Sequence, residues 1–346
     1  MELICPAGSL PALRAAIDHG ADAVYIGFRD GTNARNFPGL NFDADEAREA
    51  LAYAHAAGRR VFVALNTFPL PDQWARGCAA VDLAAILGVD ALIMADVGLL
   101  SYASERHPQL RLHLSVQGSA TNPQAIAFYA RRFGIQRVVL PRVLSVAQLE
   151  AIVRRVNVEV EVFGFGSLCI MVEGRCQLSS YVTGESPNTA GVCSPAKSVR
   201  WEESPGGGRR SRLNGVLIDV YAPNQSAGYP TLCKGRFAVE GCSSDAGGAV
   251  DRVADKPFYA LEEPTALNVL EILPQLFHAG VAAIKVEGRQ RSPAYVAQVT
   301  QVLRAALDAC QRDPAHFAPR PEWQRALDKV AEGRCHTLGA YHRPWQ

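Results

Sequence analysis

The chain has 346 residues, 48% of them hydrophobic and 20% charged, with a net charge of +1. Such values describe a globular protein with room for one large domain or two ordinary ones, and the near-neutral balance gives no support for a nucleic-acid surface. No apolar run reaches the roughly 18 residues of a membrane helix, and MELICPAGSL lacks the charged and apolar regions of a signal peptide, so the expected compartment is the reducing cytoplasm.

The first half alternates apolar runs with helical stretches. Leu3-Ile4-Cys5 leads to a helix capped by Ser9 and stopped by Gly20. Strands are predicted at Ala23–Gly27, Arg60–Asn66, Ala91–Asp96, Arg111–Ser115, Arg137–Arg142 and Val158–Phe165. The helices between them are predicted over residues 43–57, 72–87, from 97 to about Arg106, 123–132 and 145–155. Ala282–Gly288 is an eighth strand, and a helix follows Pro293 with Val296, Val299, Leu303 and Ala306 on one face. The strands are apolar nearly throughout, as expected where helices cover one side and a packed interior fills the other. Eight βα units predict a TIM-type (β/α)8 barrel, with a doubly wound open sheet as the alternative. The barrel would span residues 1–312, with an insertion at 166–281 between strands seven and eight and a tail at 313–346 holding a short helix at 321–332.

In such a barrel the chemistry sits at the C-terminal strand ends. Read in order, these present Cys5, Gly27, Asn66, Asp96, Ser115 with Gln117, Arg142, Cys169, and Glu287 with Arg289. Arg142 and Arg289 suit a carboxylate substrate, while Asn66, Asp96 and Glu287 are candidates to orient it or move protons. A structural Arg142–Glu287 pair is an equal alternative. Any one such polar residue can equally serve loop backbone groups.

Nine cysteines in a reducing compartment are not a disulfide framework. Cys169, Cys176, Cys193 and Cys233 fall on the insertion, separated by six, sixteen and thirty-nine residues. Four thiolates there suit zinc or an iron–sulfur cluster. No pair has the close spacing of a structural zinc site, and the open spacing with Gly174, Gly184 and Gly191 interleaved fits the bulkier cluster better. Cys78 and Cys310 read as packing residues on helices, and Cys242 is the reserve ligand. No dinucleotide fingerprint, Walker loop or readable triad is present.

The run Glu161, Phe163, Gly166, Ser167, Leu168, Cys169, Gly174, Cys176, Leu178, Ser179 resembles the signature of the collagenase-like peptidase family. CPAGSL (5–10), GADAVYIG (20–27) and IKVEGR (284–289) extend the resemblance over nearly the whole chain. Residues 27–42, GFRDGTNARNFPGLNF, and the length are most similar to members that act with a paralogous partner, UbiV, in oxygen-independent ubiquinone biosynthesis. The resemblance implies a TIM-like barrel and a 4Fe–4S cluster on Cys169, Cys176, Cys193 and Cys233. It also implies hydroxylation of a quinone-precursor lipid as a heterodimer, an accessory lipid-binding protein, and prephenate as oxygen donor, a dicarboxylate for Arg142 and Arg289. RNA-hydroxylating relatives are generally longer and make RNA base hydroxylation the alternative. Proteolysis has little support: there is no zinc motif, and a nucleophile would have to come from the cluster cysteines or Cys5.

Overall fold

The computed structural model describes residues 1–342 except 37, 170, 172–175, 191, 205, 226, 239–256 and 334, and only the backbone at 189 and 190. Seven strands come first: β1 (Glu2–Pro6), β2 (Ala23–Ile26), β3 (Arg60–Leu65), β4 (Ala91–Met94), β5 (Leu112–Leu114), β6 (Arg137–Val139) and β7 (Glu159–Ser167). Between them run α1 (Leu10–Asp18), α2 (Ala44–Ala56), α3 (Trp74–Leu87), α4 (Val97–Arg106), α5 (Pro123–Phe133) and α6 (Val146–Val153). The chain then leaves the barrel through α7 (Gln177–Thr183) and α8 (Pro187–Ala190). A three-stranded antiparallel sheet follows, of β8 (Val199–Ser204), β9 (Gly208–Leu213) and β10 (Val216–Tyr221), then the short pair β11 (Arg236–Phe237) and β12 (Phe258–Tyr259). It returns by β13 (Ala266–Asn268), antiparallel to β7, and α9 (Leu273–His278) to β14 (Ala283–Val286). The long α10 (Pro293–Arg312), α11 (Pro321–Asp328) and β15 (His336–Thr337) complete it.

β1 to β7 are parallel neighbours in chain order, and β14 bonds in parallel to both β1 and β7. Ala283 pairs with Glu2 on one side and Glu161 on the other, which closes an eight-stranded barrel and excludes the open sheet. All eight expected strands fall within a few residues of their predicted limits. The helices form where local chemistry starts and stops them. Asp43 accepts from Asp45 and Glu46 backbone N–H groups while Glu46 returns a bond to the Asp43 N–H, a capping box for α2. Pro123 and Pro293 occupy first turns, where no N–H is needed. Gly88 and Gly134 end α3 and α5 in the left-handed conformation.

Two layers of side chains result. The outer face of the barrel packs Leu3, Val24, Val61, Val63, Leu92, Leu114, Val162 and Ile284 beneath helix residues such as Leu13, Leu51, Leu100, Ile126 and Leu303. The inner face carries Ile4, Tyr25, Phe62, Ala64 and Ile93 with small alanines. At the base of the interior, wholly buried Arg137 donates to Glu159 (2.7 Å), Glu161 (3.0 Å) and Glu2 (2.7 Å). Arg60 also bonds Glu2. His113, buried beside the Phe62 ring, is held neutral first by burial and then by the surrounding cations.

The tail segment carries a helix, α11, and is tied to the rest of the chain. β15 extends the sheet by pairing with β13. Glu332 is buried against Lys234 at 3.1 Å and accepts from the Tyr229 N–H at 2.9 Å, so it clasps the chain's excursion from the barrel. Lys234 also donates to Ser167 at the end of β7. Among the described residues, no helix is long and apolar enough to cross a membrane.

Candidate active site at the barrel mouth

A cavity opens at the C-terminal strand ends, lined among others by Tyr25, Arg35, Asn66, Gln117, Arg142, Lys285, Glu287 and Arg289. Glu287, just past β14, is its electrostatic centre. Arg142 donates to Oε2 at 2.6 Å and Arg35 to Oε1 at 3.1 Å. Burial raises the carboxyl's proton affinity, but the two guanidiniums outweigh it and hold the group at about 2. Arg142 also donates to the Ser167 carbonyl at 2.8 Å and lies 4.1 Å from the Phe163 ring centre. The alternative of an Arg142–Glu287 pair is therefore the arrangement observed.

Arg289 is differently placed. It is buried, donates to Asn33 Oδ1 at 3.0 Å and stacks 5.7 Å from the Tyr25 ring centre, but pairs with no carboxylate among the described residues. Burial lowers its proton affinity to about 10. Backbone geometry admits it: a Cβ at Gly27 would lie 2.6 Å from the Arg289 guanidinium and 2.5 Å from Asn33. Gly166 serves Glu287 similarly, with φ of +135° and an added Cβ only 2.6 Å from the glutamate's own. Asn66 accepts from the Ala34 N–H at 3.0 Å and so anchors the loop that delivers Arg35. The Gln117 side-chain carbonyl is buried in the wall without a hydrogen-bond partner among the described residues.

Of the expected residues, Asn66, Arg142, Glu287 and Arg289 meet at this cavity, and Asp96 does not line it. Its carboxylate accepts from the Leu99 N–H at 2.9 Å and caps α4. Asn33, Arg35 and Lys285 were not singled out from the sequence. The first two sit in an irregular loop without periodicity. Lys285 sits within an apolar strand, where a lone lysine two residues before Glu287 was the available signal for an inward-facing cation.

The cysteine segments converge above this mouth. Cys176 caps α7, its thiol accepting from the Ser179 N–H at 3.5 Å, and Ser179 Oγ donates to the Cys193 carbonyl at 2.5 Å. Ser194 Oγ donates to the Pro230 carbonyl and Tyr229 to the Ser194 carbonyl, which ties Cys193 to the Thr231–Cys233 turn. Burial pushes the Cys193 thiol up to about 11, against the pull of Arg35 and with added repulsion from Cys176 and Cys233. Arg35 in turn feels both Cys193 and Cys169. All four cysteines thus lie in one neighbourhood beside Arg35, where burial works against the thiolates of Cys193 and Cys233. Among the described residues no three Cys, His, Asp or Glu side chains are gathered tightly enough for a single ion. Cys242, the reserve ligand, lies outside the described residues. Cys5 faces away from the mouth, buried beneath α10 against Thr300 Oγ1 at 3.2 Å, and burial raises its thiol to about 12. That removes it as a nucleophile.

Comparison with known proteins finds relatives over most of the chain. The chain is 33% identical over 343 residues to the tRNA hydroxylation protein P of Escherichia coli, covering 97% of this chain and 72% of that protein. It is 30% identical over 333 residues to the tRNA hydroxylation protein P1 of Bacillus subtilis, covering 95% and 68% respectively. The 23S rRNA 5-hydroxycytidine C2501 synthase of E. coli is 29% identical over 309 residues, 89% of this chain and 39% of that one. The family model for Peptidase family U32 matches residues 8–344, and the chain belongs to that family.

Proposed function

We propose that the chain is the barrel subunit of an oxygen-independent hydroxylase whose mouth binds a carboxylate-bearing oxygen donor. The observation that carries this is charge at the mouth. Among the described residues lining the cavity, Arg35, Arg142 and Arg289 face one carboxylate, Glu287. A dianionic donor, of which prephenate is one, finds a counter-ion in Arg289 and a share of the Arg35–Arg142 pair. Relatives named for tRNA and rRNA hydroxylation support the reaction class.

The four cysteines suit a 4Fe–4S cluster, since their segments are stitched together beside Arg35, and Cys169, Cys176, Cys193 and Cys233 would hold it. When bound, such a cluster supplies one-electron transfer, and with four cysteine ligands leaves no iron open to substrate. The chain's own residues do the rest: Arg289, Asn33 and Gln117 position the donor, and Glu287 keeps Arg35 and Arg142 in place.

For the acceptor, the first reading is the aromatic ring of a ubiquinone precursor, with the chain as a UbiU-like subunit beside a UbiV-like paralogue. The loop over residues 27–42, on which that resemblance rests, is the one that brings Asn33 and Arg35 to the mouth. The second reading, a base in RNA, is favoured by the names of the relatives. Deletion of the gene separates them. Loss of quinone in anaerobic but not aerobic cultures supports the first. Unchanged quinone with a hydroxylated nucleoside missing from total RNA supports the second. If both are unchanged, the hydroxylase reading fails.

A further inference from the structure

We propose that Lys285 is a carbonyl-reactive amine, and that the mouth takes a 2-oxo carboxylate whose carboxylate pairs with Arg289 and whose keto carbon forms an imine with the lysine Nζ. This deepens the reading of the mouth as the donor site and rests on it for the identity of the cavity.

Lys285 lies in the middle of β14, on the same inward side as Glu287, and lines the cavity while only 5% exposed. Its Nζ is 2.8 Å from Glu161 Oε1 and 4.2 Å from the Tyr25 ring centre. The Tyr25 ring is also the one on which Arg289 stacks, so amine and guanidinium share one wall. Arg289, without a carboxylate of its own among the described residues, is the natural partner for a ligand carboxylate.

Composition sharpens the point. Of the 35 basic residues 30 are arginine and only five lysine. The fixed cations at the base and at the mouth of the barrel are arginines, and among the described residues Lys234, paired with Glu332 outside the barrel, is the other buried lysine. Lysine differs in being able to give up its proton and attack carbon. Burial, then the cations Arg137 and Arg289, lower the Lys285 proton affinity, opposed by Glu161.

The step balances. The Lys285 ammonium passes a proton to Glu161, and the free amine adds to the keto carbon as the carbonyl π bond breaks. Glu161 returns its proton to the departing oxygen, which leaves as one molecule of water with a second proton from nitrogen. The product is a protonated imine with Glu161 regenerated, and no oxidant or reductant is consumed.

The test uses the full chain as purified, with pyruvate and cyanoborohydride, followed by peptide mass mapping of reduced adducts. The expected result is an adduct on Lys285 in excess of those on exposed Lys197 and Lys329, which are far more accessible to non-specific chemistry. Arg289→Gln should lower Lys285 labelling by about tenfold at equal pyruvate, the worth of one charge-assisted contact. Acetone, which lacks the carboxylate, should label it less than pyruvate does. Adducts only on the exposed lysines of the wild-type chain overturn the proposal without any variant having to fold. If hydroxylation is nonetheless lost in the deletion strain, the hydroxylase reading survives and Lys285 chemistry does not. Labelled Lys285 with no missing hydroxylated product leaves the imine site standing and removes the hydroxylase reading.

Discussion

Glu287 should make the barrel mouth measurably acid-labile. Its carboxyl has an ordinary value of 4.5 and sits at about 2 in the folded chain, because Arg142 and Arg35 outweigh the cost of burial. A folded-state value below the unfolded one stabilises the fold above the unfolded value and loses that stabilisation as pH falls toward the folded one. At neutral pH the difference is worth about 3 kcal/mol, all of it present above roughly pH 5.5, and about 2 kcal/mol of it is gone by pH 3. The side chain is 19% exposed, so solvent screening discounts this only modestly. Glu287→Gln removes the titration and takes the shared carboxylate away from Arg142 and Arg35, at a cost of about 3–5 kcal/mol at pH 7. Urea unfolding at pH 7, 5, 4 and 3 reads both effects. Wild type should lose about 2 kcal/mol more than the variant between pH 5 and 3, since the carboxylates of the barrel base titrate alike in both. Parallel stability–pH curves for the two proteins would refute the shared counter-ion.

Three other outcomes are expected. Single Cys169, Cys176, Cys193 and Cys233→Ala variants, purified without oxygen, should each lose the iron and acid-labile sulfide of the wild type, about four of each per chain; zinc in their place would sink the cluster. Asp96→Ala should cost about 1 kcal/mol as a lost helix cap and leave hydroxylated product in a complemented deletion strain unchanged, whereas a large loss of product would restore Asp96 as a functional group. Lys234→Met and Glu332→Gln should each cost about 3 kcal/mol or more, but the double variant well under their sum, because each single change strands a buried charge. Strict additivity in urea titrations would dissolve the clasp.

The barrel was readable because buried parallel strands are written as short apolar runs, and RVFVAL and ALIM carry few other meanings. Caps and stops at Asp43, Gly88 and Pro293 set the phase of the helices. The mouth was only half readable. Arg142, Glu287 and Arg289 follow strands closely enough to be counted onto the rim. Asp96 follows one too, but an aspartate between a strand and a helix satisfies the helix's free N–H groups as readily as it faces a cavity, and sequence does not separate the two. Arg35 and Asn33 reach the site through an irregular loop whose path depends on the Asn66 hydrogen bond and the bare Gly27 backbone. Lys285 was hidden by its apolar neighbours, and Glu161, though quoted in the signature run, carried no role of its own. Only closure of the barrel, which sets β14 beside β7, makes them partners.

The ionic belt of Arg137, Glu2, Glu159 and Glu161 gives the barrel a sealed floor. A ligand entering from the rim meets, at the base, a plug of fixed charge centred on the wholly buried Arg137 and Glu161. Among the described residues the barrel opens at the rim and is blocked by charge at the base. If the mouth takes the proposed donor, donor and spent donor share that opening, and competitive inhibition by the spent donor is the expected consequence.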